Sequence, residues 1–150
     1  MAKADIITGA KKRIVREVVG SVDWRSSPRF PFGDGPELAD ELLDLILAGQ
    51  KRATCWSAAE GSKDTVVGGR WVVEDGRGRP RAVLQTTELF TEQFDRVSED
   101  FAAAEGEGDL TLTYWRDAHR TFFRKNGGFD PEMLLWCERF ELIEILPTSV

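Results

Sequence analysis

The chain has 150 residues, a formal net charge of −6 and 41% hydrophobic residues, enough apolar content to bury a core in one domain without disulfide or metal staples. No stretch approaches the roughly 20 apolar residues that span a bilayer, and the acid excess excludes a protein that coats nucleic acid through its overall field. Residues 1 to 30 nevertheless hold seven Lys or Arg against three Asp or Glu, leaving thirteen against twenty-three beyond them, so a nucleic-acid contact would have to be local.

In chain order, residues 1–25 read as a basic N-terminal extension and residues 26–150 as the domain. Ile14, Val15, Val18 and Val19 make no continuous signal-peptide core, which points to a cytoplasmic protein. Ser26 to Gly35, with Pro28, Pro31 and Gly33, reads as a loop. Pro36 suits the first position of a helix capped by Asp34 or Gly35, and Leu38, Leu42, Leu45 and Ile46 recur at helical spacing before Gly49 stops the run. Arg52 to Ser57 is short and β-compatible, so a strand is expected. Arg70 to Glu74 and Arg81 to Leu89 form a hairpin across the loop from Asp75 to Pro80. Ser98 caps a short helix through Phe101 to Ala104, which ends in the alternating segment Glu105-Gly106-Glu107-Gly108-Asp109. Asp109 then caps a second helix, with Leu112, Trp115, His119 and Phe122 on one face and Gly127-Gly128 beyond its end. Met133 to Leu146 alternates as one or two strands with Trp136, Phe140, Leu142 and Ile145 inward. This order is α+β, and a mainly antiparallel sheet closing into a small barrel hides its edges.

The turn after Gly49 holds the first chemical candidate. A lysine at position 51 can reach Thr54 if it lies in that turn, the geometry of a lysine-activated hydroxyl. Such a lysine must be neutral part of the time, because an ammonium cannot accept a proton; burial favours neutrality and a nearby carboxylate opposes it. The plain alternative is two ordinary surface residues. Glu105, Glu107 and Asp109 place three acids within five residues, which reads as a solvated loop, a metal-binding loop through Glu107 and Asp109, or an orienting carboxylate. The full calcium-loop pattern is missing, so no strong metal site is claimed and no cofactor is called for. His119, the only histidine, shares a helix face with Trp115 and is either a packed residue or an acid–base group. Arg70, Trp71, Arg116, Arg124 and Lys125 are candidates for phosphate, and Trp56 and Trp71 for base stacking, although most of the five tryptophans belong in a core. Cys55 and Cys137 each sit in an apolar run and read as buried thiols, too few for a disulfide framework.

Five segments span positions 30 to 140: Phe30-Pro31-Phe32-Gly33-Asp34, Leu47-Ala48-Gly49-Gln50-Lys51-Arg52-Ala53-Thr54, Phe101-Ala102-x-x-Glu105-Gly106-Glu107-Gly108-Asp109, Trp115-Arg116-x-x-His119 and Cys137-Glu138-Arg139-Phe140. In this combination the chain resembles the ASCH domain family, in its longer bacterial branch. The resemblance implies a small PUA-like β-barrel with flanking α-helices, a cleft beside the helix that ends in Gly-x-Lys, and RNA or a nucleoside as the ligand. A smaller branch contains amidohydrolases that act on N4-acetylcytidine through a lysine, a threonine and a glutamate, and those positions fall here on Lys51, Thr54 and Glu105. Lys51 would deprotonate Thr54, Thr54 or a water it positions would attack the amide carbonyl, and Glu105 would orient the base or substrate. Arg70, Trp71, Trp115, Arg116 and His119 would bind substrate. Other members of the longer branch are similar to ribonucleases acting on single-stranded RNA with a divalent metal, which Glu107 and Asp109 would hold. A hydrolase is the expectation, and a non-catalytic RNA-binding module is the third reading.

Overall fold

Pro36 at the first helical position and the apolar run behind it give α1, Pro36–Leu47, in the computed structural model, which describes residues 23–148. Its buried face is Ala39, Leu42, Leu43 and Ile46, rotated from the expected stripe, with Leu38 and Leu45 half-buried at the margins. The absence of bulk at Ala39 lets that side of the helix sit innermost. β1, Arg29–Pro31, runs parallel to β3, Arg70–Glu74, so the segment expected to be a loop contains a short strand. Pro31, which has no N–H to give, is tolerated there because β1 ends the sheet.

β2, Ala53–Ser57, β4, Pro80–Gln93, and β5, Leu134–Ile145, complete a mixed sheet of order β1-β3-β4-β5-β2. The sheet curves into a half-barrel, the α+β architecture expected from the sequence, with β1 and β2 as its end strands. β4 and β5 pair antiparallel from Ala82↔Ile145 to Gln93↔Leu134, with register shifts at Val83/Leu84 and Thr86/Glu88; such bulges bend a strand and tighten its twist.

Two helices close one end. α2, Glu99–Glu105, is capped by the Ser98 hydroxyl, which accepts from the Phe101 N–H. α3, Leu112–Lys125, is capped by Thr111 rather than Asp109. Asp109 acts one step earlier, its Oδ1 accepting from the Thr111 N–H at 3.0 Å and the Thr111 hydroxyl at 2.6 Å. Trp115 and Phe123 are the buried residues of α3, whereas Phe122 is 38% exposed, because steps of four keep 115, 119 and 123 on one face.

The strand facing was the larger departure. Leu135 and Cys137 belong to one core, with Ala53, Phe94, Phe101 and Trp115, while Phe140 belongs to a second with Leu43, Ile46, Val73 and Leu84. β5 therefore buries opposite faces along its length, α2 and α3 covering one and α1 the other. Of the expected inward set, Phe140 is buried, Trp136 and Leu142 are half-buried and Ile145 is exposed. Among the five tryptophans only Trp115 is buried. Trp24, in a single turn over Trp24–Ser26, packs against Val72, Val83 and Leu146, so folded structure begins inside the segment assigned to the basic extension. Residues 1–22 of that segment lie outside the described residues. No helix among the described residues is long and apolar enough to cross a membrane.

Candidate functional site

The turn after α1 docks on the end of α2. The Arg52 N–H donates to the Ala104 carbonyl at 2.7 Å, and Gln50 Nε2 donates to the Gly106 carbonyl at 2.6 Å. Glycine at 106 permits the approach, since its φ is +77 and a Cβ there would lie 2.4 Å from the Gln50 carbonyl oxygen. Lys51 is thereby enclosed, with Nζ 3.0 Å from Glu105 Oε1 and 2.8 Å from Glu107 Oε2, and it also donates to the Ala53 carbonyl at 2.9 Å. The other oxygen of Glu105 accepts from Trp115 Nε1 at 3.0 Å and lies 3.5 Å from His119 Nε2. His119 stacks on Trp115, ring centroids 4.3 Å apart, with Nδ1 2.8 Å from the Trp115 carbonyl.

This is a closed charge network. Burial would lower the Lys51 pKa, but the Glu105 and Glu107 carboxylates outweigh it and raise the value above that of a free lysine. Burial would raise the Glu105 carboxyl; the Lys51 ammonium, then His119 and the Trp115 N–H, outweigh it and hold Glu105 far below the usual carboxylate range. For His119 burial pulls down and Glu105 pushes up, with a net rise. Lys51 is therefore held as an ammonium, the form that cannot accept a proton.

A pocket of about 300 Å³ lies between the two end strands of the half-barrel. Phe30, Phe32, Trp56, Trp71 and Phe122 supply aromatic walls, and Thr54, Thr86 and Glu138 are its polar residues from β2, β4 and β5. Thr54 and Glu138 are direct partners in the β2–β5 register. Successive strand residues point to opposite faces; the Cys55 Sγ lies within 4.8 Å of ligand atoms of Glu105 and His119, which sends Thr54 away from the network. The structure thus brings Lys51 and Glu105 together and places Thr54 with Glu138 instead. Among the described residues the Thr54 hydroxyl forms no hydrogen bond.

Glu138 is 2% exposed and its Oε2 accepts from Trp71 Nε1 at 3.0 Å and from the Thr86 hydroxyl at 2.6 Å. Burial pushes this carboxyl up, and the two donors only partly offset it. Glu138 stands in the segment Cys137-Glu138-Arg139-Phe140, which by itself assigns it no role. Its one signal was an acid inside the largely apolar run Leu134 to Phe140, which does not reveal the face it occupies.

Of the expected substrate residues, Arg70 and Trp71 line the pocket, and Arg70 Nε also donates to Gln85 Oε1 at 3.1 Å. Trp115 is core, 3% exposed; Arg116 Nη2 donates to the Asp95 carbonyl at 3.2 Å; His119 belongs to the network. Arg124 lies over the Phe129 ring and Lys125 pairs with Asp34 at 3.5 Å, both off the pocket lining. Glu107 is engaged by Lys51 and Asp109 by Thr111. Among the described residues, the side chains whose ligand atoms converge are Cys55, Glu105 and His119. That trio is poorly charged for a cation, because burial pushes the Cys55 thiol well up and Lys51 already answers Glu105.

A half-barrel with helices at one end, a lysine turn docked on an acidic helix terminus and a pocket between its end strands define a PUA-like α+β domain. The ASCH domain model matches residues 29–144, and the chain belongs to the ASCH domain family. It is similar to the ASCH domain from Lactobacillus crispatus JV V101, at 34% identity over 85% of this chain and 90% of that one, with a TM-score of 0.73. A protein from Enterococcus faecalis V583, described under the family model DUF984, is 32% identical over 85% of this chain and 83% of that one, with a TM-score of 0.75. A hypothetical protein at 14% identity and a TM-score of 0.55 shares the fold. No curated protein matches the chain.

Proposed function

We propose that the protein binds one nucleobase, carried by a modified nucleoside or unstacked from RNA, in the pocket between β1 and β2 and hydrolyses a substituent on it. The observation that carries this reading is the pocket itself: about 300 Å³, walled by aromatic rings, with Thr54, Thr86 and Glu138 from three different strands. That volume is at the lower end for small-ligand sites, and aromatic faces stack unpaired bases where a duplex would offer no access. The net charge of −6 also suits a small ligand better than a long polyanion. Thr54 contributes a hydroxyl with no hydrogen bond to surrender; it would hold a water that adds to the acyl carbon, the C–N bond breaking as the water's proton passes to the departing nitrogen, so that carboxylic acid and free amine leave. Lys51 and Glu105 enter as positioning residues, because they join the start of β2 to the end of α2 and so set where Thr54 stands. For Lys51 to act as the base it would first have to leave two carboxylates.

The test is incubation of the purified protein with N4-acetylcytidine and, separately, with single-stranded RNA, each with and without chelator. Deacetylation that survives chelator and falls at least about 100-fold in Thr54→Ala, the scale lost with a group acting at the reacting centre, supports the reading. Chelator-sensitive cleavage of RNA would replace it with a metal-dependent ribonuclease. Binding without turnover would reduce the function to recognition alone.

A further inference from the structure

Two oxygens of one buried carboxyl are treated differently in the pocket. Glu138 Oε2 takes both protein donors, Trp71 Nε1 at 3.0 Å and the Thr86 hydroxyl at 2.6 Å, while Oε1 receives no hydrogen bond among the described residues. Buried carboxylates are ordinarily matched by a cation. Here none is paired with Glu138 among the described residues, although Lys51 and Arg139 are close in sequence to its strand pair: Lys51 is committed to Glu105 and Glu107, and Arg139 to Glu88. The group is also fixed in place. Two donors on one oxygen set the carboxyl plane, Trp71 is itself wedged edge-on between Phe32 and Phe140 at 5.5 and 5.9 Å, and Thr86 is 1% exposed. A rigid acceptor held without a counter-charge, on the lining of a pocket, is unfavourable for stability and is the kind of inconsistency found at functional sites.

We infer that Glu138 selects the ligand by accepting an N–H at Oε1, so that the pocket takes nucleobases bearing an exocyclic amino or acylamino N–H on the edge presented to β5. The inference rests on the proposed base-binding role of the pocket and adds to it the residue that discriminates. A carboxylate matches the exocyclic N–H of cytosine or adenine and meets a lone pair where uracil carries oxygen. The neighbouring Thr54 hydroxyl, which can donate or accept, tolerates either and adds no selectivity of its own.

Trp56 and Trp71 line the pocket and make intrinsic fluorescence the readout. Cytidine, N4,N4-dimethylcytidine and uridine are titrated into the wild type, Glu138→Gln and Thr86→Val, each first shown to unfold cooperatively. The wild type should bind cytidine at least about 10-fold more tightly than the other two, the scale of a hydrogen bond to a charged group. In Glu138→Gln the amide oxygen stays on the Trp71 and Thr86 donors and the NH₂ turns to the ligand, so the preference should shrink to within about 3-fold or pass to uridine. Thr86→Val keeps the carboxyl but frees its orientation, and should fall between the two. Binding of all three nucleosides with equal affinity by the wild type, or an unchanged cytidine preference in Glu138→Gln, overturns the inference and leaves base binding standing. Binding of none of them overturns both.

Discussion

Glu105 and Glu138 are each 2% exposed, yet their surroundings drive them in opposite directions. Glu105 sits between an ammonium, an imidazole and an indole N–H, and is held far below the usual carboxylate range. Glu138 has only neutral donors, and burial prevails. Burial alone therefore does not define the role of a buried acid; its partners do. Where every charge is answered, as around Lys51, the arrangement fastens one piece of chain to another. Where a charge is left for something that comes from outside, as in the pocket, the arrangement is suited to a ligand.

Removing the cation from the fastened region should have the largest effect. Lys51→Ala leaves Glu105 buried with its main counter-charge gone, and breaking a buried pair from one side costs roughly 3–5 kcal/mol. Urea unfolding at neutral pH measures it. Replacing Lys51 and Glu105 together by apolar residues should destabilise less than Lys51→Ala alone, since no orphan charge remains at Glu105; a loss equal to the sum of the singles would show that the pair is not coupled. A smaller loss is expected for Gly106→Ala. Its φ of +77 disfavours a side chain, and the new Cβ would press on the Gln50 carbonyl, together about 1–3 kcal/mol. Because that contact sets the start of β2, ligand binding at Thr54 should weaken along with stability; unchanged binding would argue that the pocket does not depend on the docked turn.

The sequence showed more of the fold than of the site, for a physical reason in each case. α1 and the β3–β4 hairpin are written in local signals, Pro36 and Gly49 at the helix ends and alternation on either side of Asp75-Gly76. The cap of α3 was ambiguous because Asp109 and Thr111 are both good capping types two residues apart, and the structure uses one to brace the other. β5 defied one-sided alternation because helices cover opposite faces at its two ends. The meeting of Lys51 with Glu105, 54 positions apart, follows from no spacing rule, and the resemblance alone pointed to it. Glu138 needed the register: only the pairing of β5 with β2 puts it opposite Thr54.

The gentlest probe of the comparison is pH, because the two glutamates should respond with opposite sign. Glu105 has a lowered folded pKa, so its contribution is present above its ordinary value of 4.5 and is lost as pH falls through the folded value. Glu138 has a raised folded pKa; its contribution is present below 4.5 and is lost as pH rises through the folded value. Measured by urea unfolding from about pH 2 to pH 8, Glu105→Gln should carry a deficit that is largest at neutral pH and narrows below about pH 4.5. Glu138→Gln should match the wild type near pH 4 and gain on it as pH rises, by less than the Lys51→Ala loss. A Glu138→Gln variant that is destabilised at neutral pH would place Glu138 among the fastening residues after all, because a carboxylate that stabilises the fold when ionised is not being held for a ligand.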